Sequence, residues 1–164
     1  MEEREKGKPR ISVRNYHRRD RADVLRIAVE SFGGVCLDEN VEKQFGKIGR
    51  RWQDHKEDTI DYDLSANSAS AFVAEVNGKV VGFLCARLYY QRSTGHVANL
   101  AVAPDCQGMG VGKALIQAAL DHFRDRGMQY ARIETLEQNI KAKEFYPAVG
   151  FKEVGRQIFY FMKL

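Results

Sequence analysis

The chain has 164 residues, 44% hydrophobic and 29% charged, with a net charge of +4 and a pI near 9.0. That length suits one domain with a sizeable core, and the composition is that of an ordinary globular protein rather than a disordered or fibrous one. No apolar run approaches the roughly 20 residues of a membrane helix, and the charged opening MEEREKGKPR lacks the apolar stretch of a secretory leader, so neither a membrane nor a leader is expected.

Met1–Pro9 reads as a solvated, mobile tail ahead of a single domain over 10–164. Ile11–Tyr16 alternates apolar and polar residues, the period of a first strand. Asp20 is placed to cap a first helix. Ala22, Leu25, Ile27, Ala28 and Val29 form its apolar face and Gly33-Gly34 its end. A second helix is expected from just after Asp38 to about Trp52, on the spacing of Val41, Phe45, Ile48 and Trp52, although Gly46 and Gly49 oppose it. Lys47, Arg50 and Arg51 lack interleaved aromatics and read as a solvated face, so no nucleic-acid partner is expected. Asp54–Ser70 carries Asp54, Glu57, Asp58, Asp61 and Asp63. It reads as a polar loop, or as a lid that attracts a cationic amine.

Ala71–Val76 is a strand, and Asn77-Gly78 signals a two-residue hairpin turn. The return strand, Lys79 to about Tyr90, is apolar on both faces and should be central. Ser93–Gly95 turns the chain into His96–Ala103, an apolar run ended by Pro104 and Asp105. A helix follows to Arg126, with Val111, Leu115, Ala118 and His122 at helical spacing and Gly127 as its stop. Tyr130–Leu136 is another strand. Asn139–Val149 is a short helix closed by Gly150, and Phe151–Val154 with Ile158–Leu164 reads as a last hairpin. The order is β-α-α-β-β-β-α-β-α-β-β. This is an α/β (α+β) fold: a mixed sheet of six to seven strands with helices on both faces.

Cys36, Cys85 and Cys106 show no C-x-x-C spacing, so neither a disulfide framework nor a zinc site is supported and no metal is expected. Reduced thiols in a cytoplasm are the simplest reading. Cys85 belongs to an apolar run. Cys106 lies in a glycine-rich loop with no histidine near it in sequence.

That loop is the most informative stretch. His96–Gly112 reads HVANLAVAPDCQGMGVG: a buried-strand run, a proline stop, then three glycines in six residues before a helix. Strand, glycine loop and helix start bring unpaired N–H groups and a helix dipole to one point, which suits a phosphate. The positive charge balance agrees with an anionic ligand. The dinucleotide fingerprint G-x-G-x-x-G fails, because Lys113 stands at the third glycine. The P-loop fails as well, because Gln107 and Ala114 occupy its first glycine and its hydroxyl position. What remains is Q-x-x-G-x-G, at Gln107, Gly110 and Gly112, preceded by L-A-V-x-P at Leu100–Pro104.

These residues resemble the acetyl-coenzyme A loop of the GNAT N-acetyltransferase superfamily. A second signature of that superfamily, N-x-x-A-x-x-x-Y-x-x-x-G-F, is matched by Asn139, Ala142, Tyr146, Gly150 and Phe151 with every spacing kept. The resemblance covers roughly Ala71 to the end of the sequence and implies a single GNAT-like domain. It implies that acetyl-coenzyme A is the cosubstrate and that a primary amine is the acceptor: a protein N-terminus, a lysine, a polyamine or a small molecule. By resemblance, Gln107, Gly108, Met109, Gly110, Val111, Gly112 and Lys113 hold the pyrophosphate. Leu100, Ala101 and Val102 pair with the pantetheine arm, from which Tyr130–Leu136 would splay, and Asn139 and Ala142 line the same cofactor. Tyr146 would return a proton to the departing thiolate. Two residues could receive the amine proton: His96, where many members carry glutamate, and Glu134, where some peptide-acetylating members carry theirs. Pro147, directly after the tyrosine, departs from the pattern. With His96 it leaves a non-catalytic acetyl-coenzyme A binding module as the alternative. A C-terminal strand such as Ile158–Leu164 could pair two copies as a homodimer.

Overall fold

The computed structural model describes residues 10–164, and the expected tail at 1–9 lies outside them. Five strands form one sheet in the order β1-β2-β3-β4-β5: β1 Ile11–Asn15, β2 Ala71–Val76, β3 Lys79–Tyr89, β4 Thr94–Val102 and β5 Tyr130–Ile133. The first four pair antiparallel and β5 joins β4 in parallel. Asn77 and Gly78 take φ of 51° and 75°, the two left-handed residues that a tight hairpin between β2 and β3 requires. Pairing of β3 with β4 runs from Gly82↔Val102 to Cys85↔Asn99 and resumes at Ala86↔Val97, so Ala98 is an extra residue that bulges β4.

Helices α1 (Arg21–Phe32), α2 (Leu37–Phe45), α3 (Trp52–Ala66), α4 (Val111–Asp125) and α5 (Ile140–Ala148) complete the fold. Side chains alternate across each strand, so the sheet builds a core on both sides. On one side Val24, Ile27 and Ala28 of α1 and Ile60 and Leu64 of α3 pack on Val73, Phe83, Cys85 and Ala101. On the other, Val111, Leu115, Ile116, Ala119 and Phe123 of α4 pack on Phe72, Ala74, Leu84, Ala86 and Val97. Gly95 lets α4 approach: a Cβ there would lie 2.3 Å from the Phe123 ring, which is itself buried. Gly95→Ala should therefore cost about 3 kcal/mol of unfolding free energy, the upper end for overpacking. Urea titration checks this, and an unchanged midpoint would contradict it.

Three expectations are corrected. The second helix does not run to Trp52: it ends at Phe45, and Gly46 and Gly49 adopt φ of 79° and 70° between two helices. Asp54–Ala66 is not a loop but the body of α3, whose Trp52, Ile60, Asp63 and Leu64 are buried. Third, the sheet has five strands, not six to seven. Phe151–Leu164 forms no hairpin, and Val154, Ile158, Tyr160 and Met162 are largely exposed. Among the described residues no strand pairs with that run. Asp20 also departs from its expected role. It precedes α1 but makes no cap; its carboxylate takes two bonds from Arg14, at 2.7 and 2.9 Å, and one from the His17 amide.

Candidate active site

The loop between β4 and α4 has the geometry of an anion cup. Gly108 and Gly110 take φ of 78° and 93°, Gly110 serves as the N-cap of α4 without a side-chain cap, and Gln107–Gly110 are exposed. The first backbone bond into the helix is donated by Ala114 to the Gly110 carbonyl. The N–H groups of residues 108–113 are thus left free at the positive end of a 15-residue helix. Gly112 admits α5 closely, since a Cβ would meet the Phe145 ring at 3.4 Å. Gln107 braces the loop by donating to the Val102 carbonyl (3.1 Å) and accepting from Lys141 (3.0 Å). Met109 and Lys113 are exposed, while Val111 is buried in the α4 core.

Beside the cup, β4 has an open edge. β5 pairs only with Thr94–Val97 and ends at Ile133, so Leu100 and Ala101 have β3 on one side and no strand on the other. An extended amide chain can add to such an edge.

The two candidate bases meet. His96 Nε2 lies 2.9 Å from Glu134 Oε1, and Arg132 donates to the other oxygen at 3.2 Å. His96 is buried and its Nδ1 has no partner among the described residues, while Glu134 is exposed. The bond to His96, more than any other interaction, holds the Glu134 carboxyl below the ordinary range, so it is ionised at neutral pH. An ionised carboxylate can only accept, so Nε2 carries a hydrogen towards Glu134. The Tyr89 ring stacks on the imidazole at 6.0 Å.

Tyr146 stands in the last full turn of α5, between Phe145 (5.6 Å) and Phe151 (6.1 Å). Burial, and then the Glu134 charge, push its phenol up to about 12. Pro147 is the penultimate residue of α5, where it costs one hydrogen bond rather than breaking a helix interior. The last carbonyls of the helix are taken up by the turn at Gly150, with Phe151 N–H bonding the Tyr146 carbonyl at 3.0 Å. Asn139 is the N-cap of α5: its side-chain oxygen accepts from the Ala142 amide at 3.2 Å, and Ala142 is buried. In the N-x-x-A signature the first and last residues are thus a helix cap and its buried third residue.

A polar network that sequence reasoning missed lies on the α3 face of β4. Asp63, 1% exposed, accepts from Arg87 (2.6 and 2.9 Å) and from Asn99 (2.8 Å). Lys56 donates to the Asn99 oxygen at 2.9 Å, with its ammonium 3.8 Å over the Phe32 ring. Burial lowers the Lys56 pKa. Arg87 is the cross-strand neighbour of His96, and Asn99 immediately precedes Leu100, so the network underlies the bulged part of β4. The signal was an Arg and an Asn inside otherwise apolar strands, which only a buried partner makes affordable. Three more of the five carboxylates of the acidic stretch are engaged at the surface: Asp61 pairs with Arg21, Asp58 with Arg50, and Asp54 bonds the Arg51 amide. Opposite, Gln138 exchanges amide bonds with Asn40 at 2.9 Å and donates to the Gly34 carbonyl at 2.8 Å, tying the α1–α2 turn to the residue before Asn139.

Cys36 and Cys85 are buried and Cys106 half-buried. All three thiols are raised, chiefly by burial, so none is poised as a thiolate nucleophile. Among the described residues there is no cluster fit for a metal ion, and no helix is long and apolar enough to cross a membrane.

The family model for the acetyltransferase (GNAT) family matches residues 34–151, which spans the α1–α2 turn, the network, the cup and both signatures. The chain belongs to the GNAT family. An uncharacterized N-acetyltransferase of Methanocaldococcus jannaschii is 26% identical over 147 residues, covering 87% of this chain but 61% of that relative. One from Archaeoglobus fulgidus is 26% identical over 141 residues, covering 83% of this chain and 89% of its own length. Against some curated relatives the GNAT chain is thus short, spanning 61% and 52% of two from M. jannaschii. Among solved structures, the PaiA N-acetyltransferase of Thermoplasma acidophilum in complex with coenzyme A superposes with a TM-score of 0.71 at 19% identity. That match covers 87% of this chain and 90% of that one, and the likeness is one of fold.

Proposed function

We propose that the protein is an acetyl-coenzyme A-dependent N-acetyltransferase that acts on a primary amine. One observation supports the reading: the unpaired edge of β4 at the β4–β5 splay runs from the His96–Glu134 pair, whose charge is felt by the Tyr146 phenol, to the glycine loop at the start of α4. The amides of residues 108–113 would hold the pyrophosphate, and the β4 edge at Leu100–Ala101 the pantetheine. A free N–H at that edge would receive the oxyanion that develops on the thioester carbonyl.

The amine nitrogen attacks the thioester carbon, a C–N bond forms and the C–S bond breaks. An alkyl ammonium has a pKa of about 10.4, so the acceptor must first give up a proton. Glu134 accepts the Nε2 hydrogen, so the imidazole would take a further proton at the buried Nδ1, where it would stand as an imidazolium beside a carboxylate, the proton being delivered from the bound acceptor through the site. His96 is therefore the base and Glu134 its positioning partner. Tyr146 remains protonated across the neutral range and donates to the thiolate. The paired carboxylates of α3 withdraw the earlier reason to favour a cationic acceptor.

Thiol release from acetyl-coenzyme A with a panel of amines tests the activity; release with none of them would leave the binding-module reading in place. His96→Ala should lower kcat about 100-fold or more, and Glu134→Gln by about 10-fold with the acid limb of the pH–rate profile displaced. Equal losses with an undisplaced limb in Glu134→Gln would make the carboxylate, not the imidazole, the proton acceptor.

A further inference from the structure

Lys56, beside the candidate site, is a cation without a counter-ion in contact. Asp63 is fully engaged: one oxygen takes both bonds from Arg87 and the other takes the bond from Asn99. Lys56 Nζ reaches only the Asn99 oxygen, at 2.9 Å, and the Phe32 ring, 3.8 Å away. An ammonium carries three donors, so two of its N–H groups have no acceptor among the described residues. Asp38 and Asp63 are felt only from beyond hydrogen-bonding reach, and burial already disfavours the charge. A half-buried cation short of acceptors is costly unless an anion completes it. Its position says where that anion would come from. Asn99 and His96 share a face of β4: their partners on β3, Cys85 and Arg87, are two residues apart, which sets the side chains about 7 Å from each other. Leu100, at the open edge, follows Asn99 directly. Phe32 ends α1, and Gly34 in the turn that follows is bonded to Gln138, in the segment that begins with Glu134. The proposed base and the Lys56 ammonium thus stand on one side of β4, with the open edge beside them.

We propose that Lys56 receives a carboxylate of the acceptor, so that the acetylated amine belongs to a small amino acid-like molecule with amine and carboxylate a few carbon atoms apart. The amine half of this statement rests on the acetyl-transfer reading above; the carboxylate half does not. The bound carboxylate takes the two free N–H groups of Lys56, while Asn99 keeps the third. The amine end then points along the face towards His96 and the edge at Leu100–Ala101. A polyamine, or a lysine side chain within a protein, brings no carboxylate to this position and sets a second cation against the ammonium, so the same residue selects for one class and against the other.

Calorimetric titration into the full chain saturated with coenzyme A tests this without chemistry. The probes are the common L-amino acids, β-alanine and 4-aminobutyrate, each beside its own carboxamide, which keeps the shape and removes the charge. At least one acid should bind about 10–100-fold more tightly than its amide. Lys56→Met keeps a stem over Phe32 and removes the charge, so it should bring that acid and amide within about three-fold of each other, while Lys56→Arg should retain the preference. Thiol release from acetyl-coenzyme A should show the same acid-over-amide ratio, carried by KM for the amine. Absence of a preference for any acid overturns the proposal, and so does a folded Lys56→Met variant that keeps one. The comparison of acids with amides on the unmodified chain needs no variant to fold. Preferential binding of an acid without thiol release refutes the activity and leaves the carboxylate site; thiol release with the amides alone refutes the carboxylate site and leaves the activity.

Discussion

Tyr146→Phe should lower kcat for acetyl transfer by about 10²–10³-fold while leaving KM for acetyl-coenzyme A within a factor of about two. The ring packs between Phe145 and Phe151, and phenylalanine keeps that packing, so the substitution removes the hydroxyl and little else. A thiolate expelled without a proton donor into a half-buried site is a poor leaving group, and the intermediate returns to reactants. The loss should fall on kcat because, in the proposed mechanism, the phenol acts only as the C–S bond breaks. The pH dependence separates this role from a packing role. With the phenol pushed up to about 12, the wild-type enzyme should keep its donor well above neutral pH. Steady-state kinetics with a thiol-trapping reagent measure both constants; unchanged kcat would remove Tyr146 from the chemistry.

How far such a site could be read from the sequence differs from residue to residue. The cup was legible because glycine at a positive φ and a free helix start are local properties, written in consecutive letters from Gln107 to Gly112. The splay was legible only by resemblance, since where β5 leaves β4 depends on pairing between residues 36 apart, such as His96 and Arg132. The two candidate bases could be named but not joined, because Glu134 and His96 meet only through that pairing. Helix α3 was hidden by its charge. Trp52, Ile60 and Leu64 do keep helical spacing, yet the third member of the buried face is Asp63, and no local rule makes a carboxylate a core residue. The C-terminal strands failed for the opposite reason: local pattern was right for a strand, but a strand also needs a neighbour.

Asp63→Ala should destabilise the fold by about 3–4 kcal/mol, the largest effect expected of any single substitution here. The carboxylate is 1% exposed and takes three hydrogen bonds, two from Arg87 and one from Asn99. Its removal leaves a guanidinium at the base of β3 without its counter-charge, an Asn99 amide without an acceptor, and a cavity under α3. Asp63→Asn keeps the shape and one acceptor oxygen while losing the charge, so it should cost about half as much. Leucine fills the cavity but strands the same two donors, and should resemble alanine. That order separates an ion-pair role from a packing role, since packing alone would rank leucine as the mildest change. Guanidinium denaturation followed by circular dichroism checks it. The same series reports on function, because Asn99 adjoins Leu100 at the bulge: in Asp63→Asn, the fully folded variant, KM for acetyl-coenzyme A should rise several-fold as the β4 edge loosens. An unchanged KM would confine the network to holding α3 on the sheet.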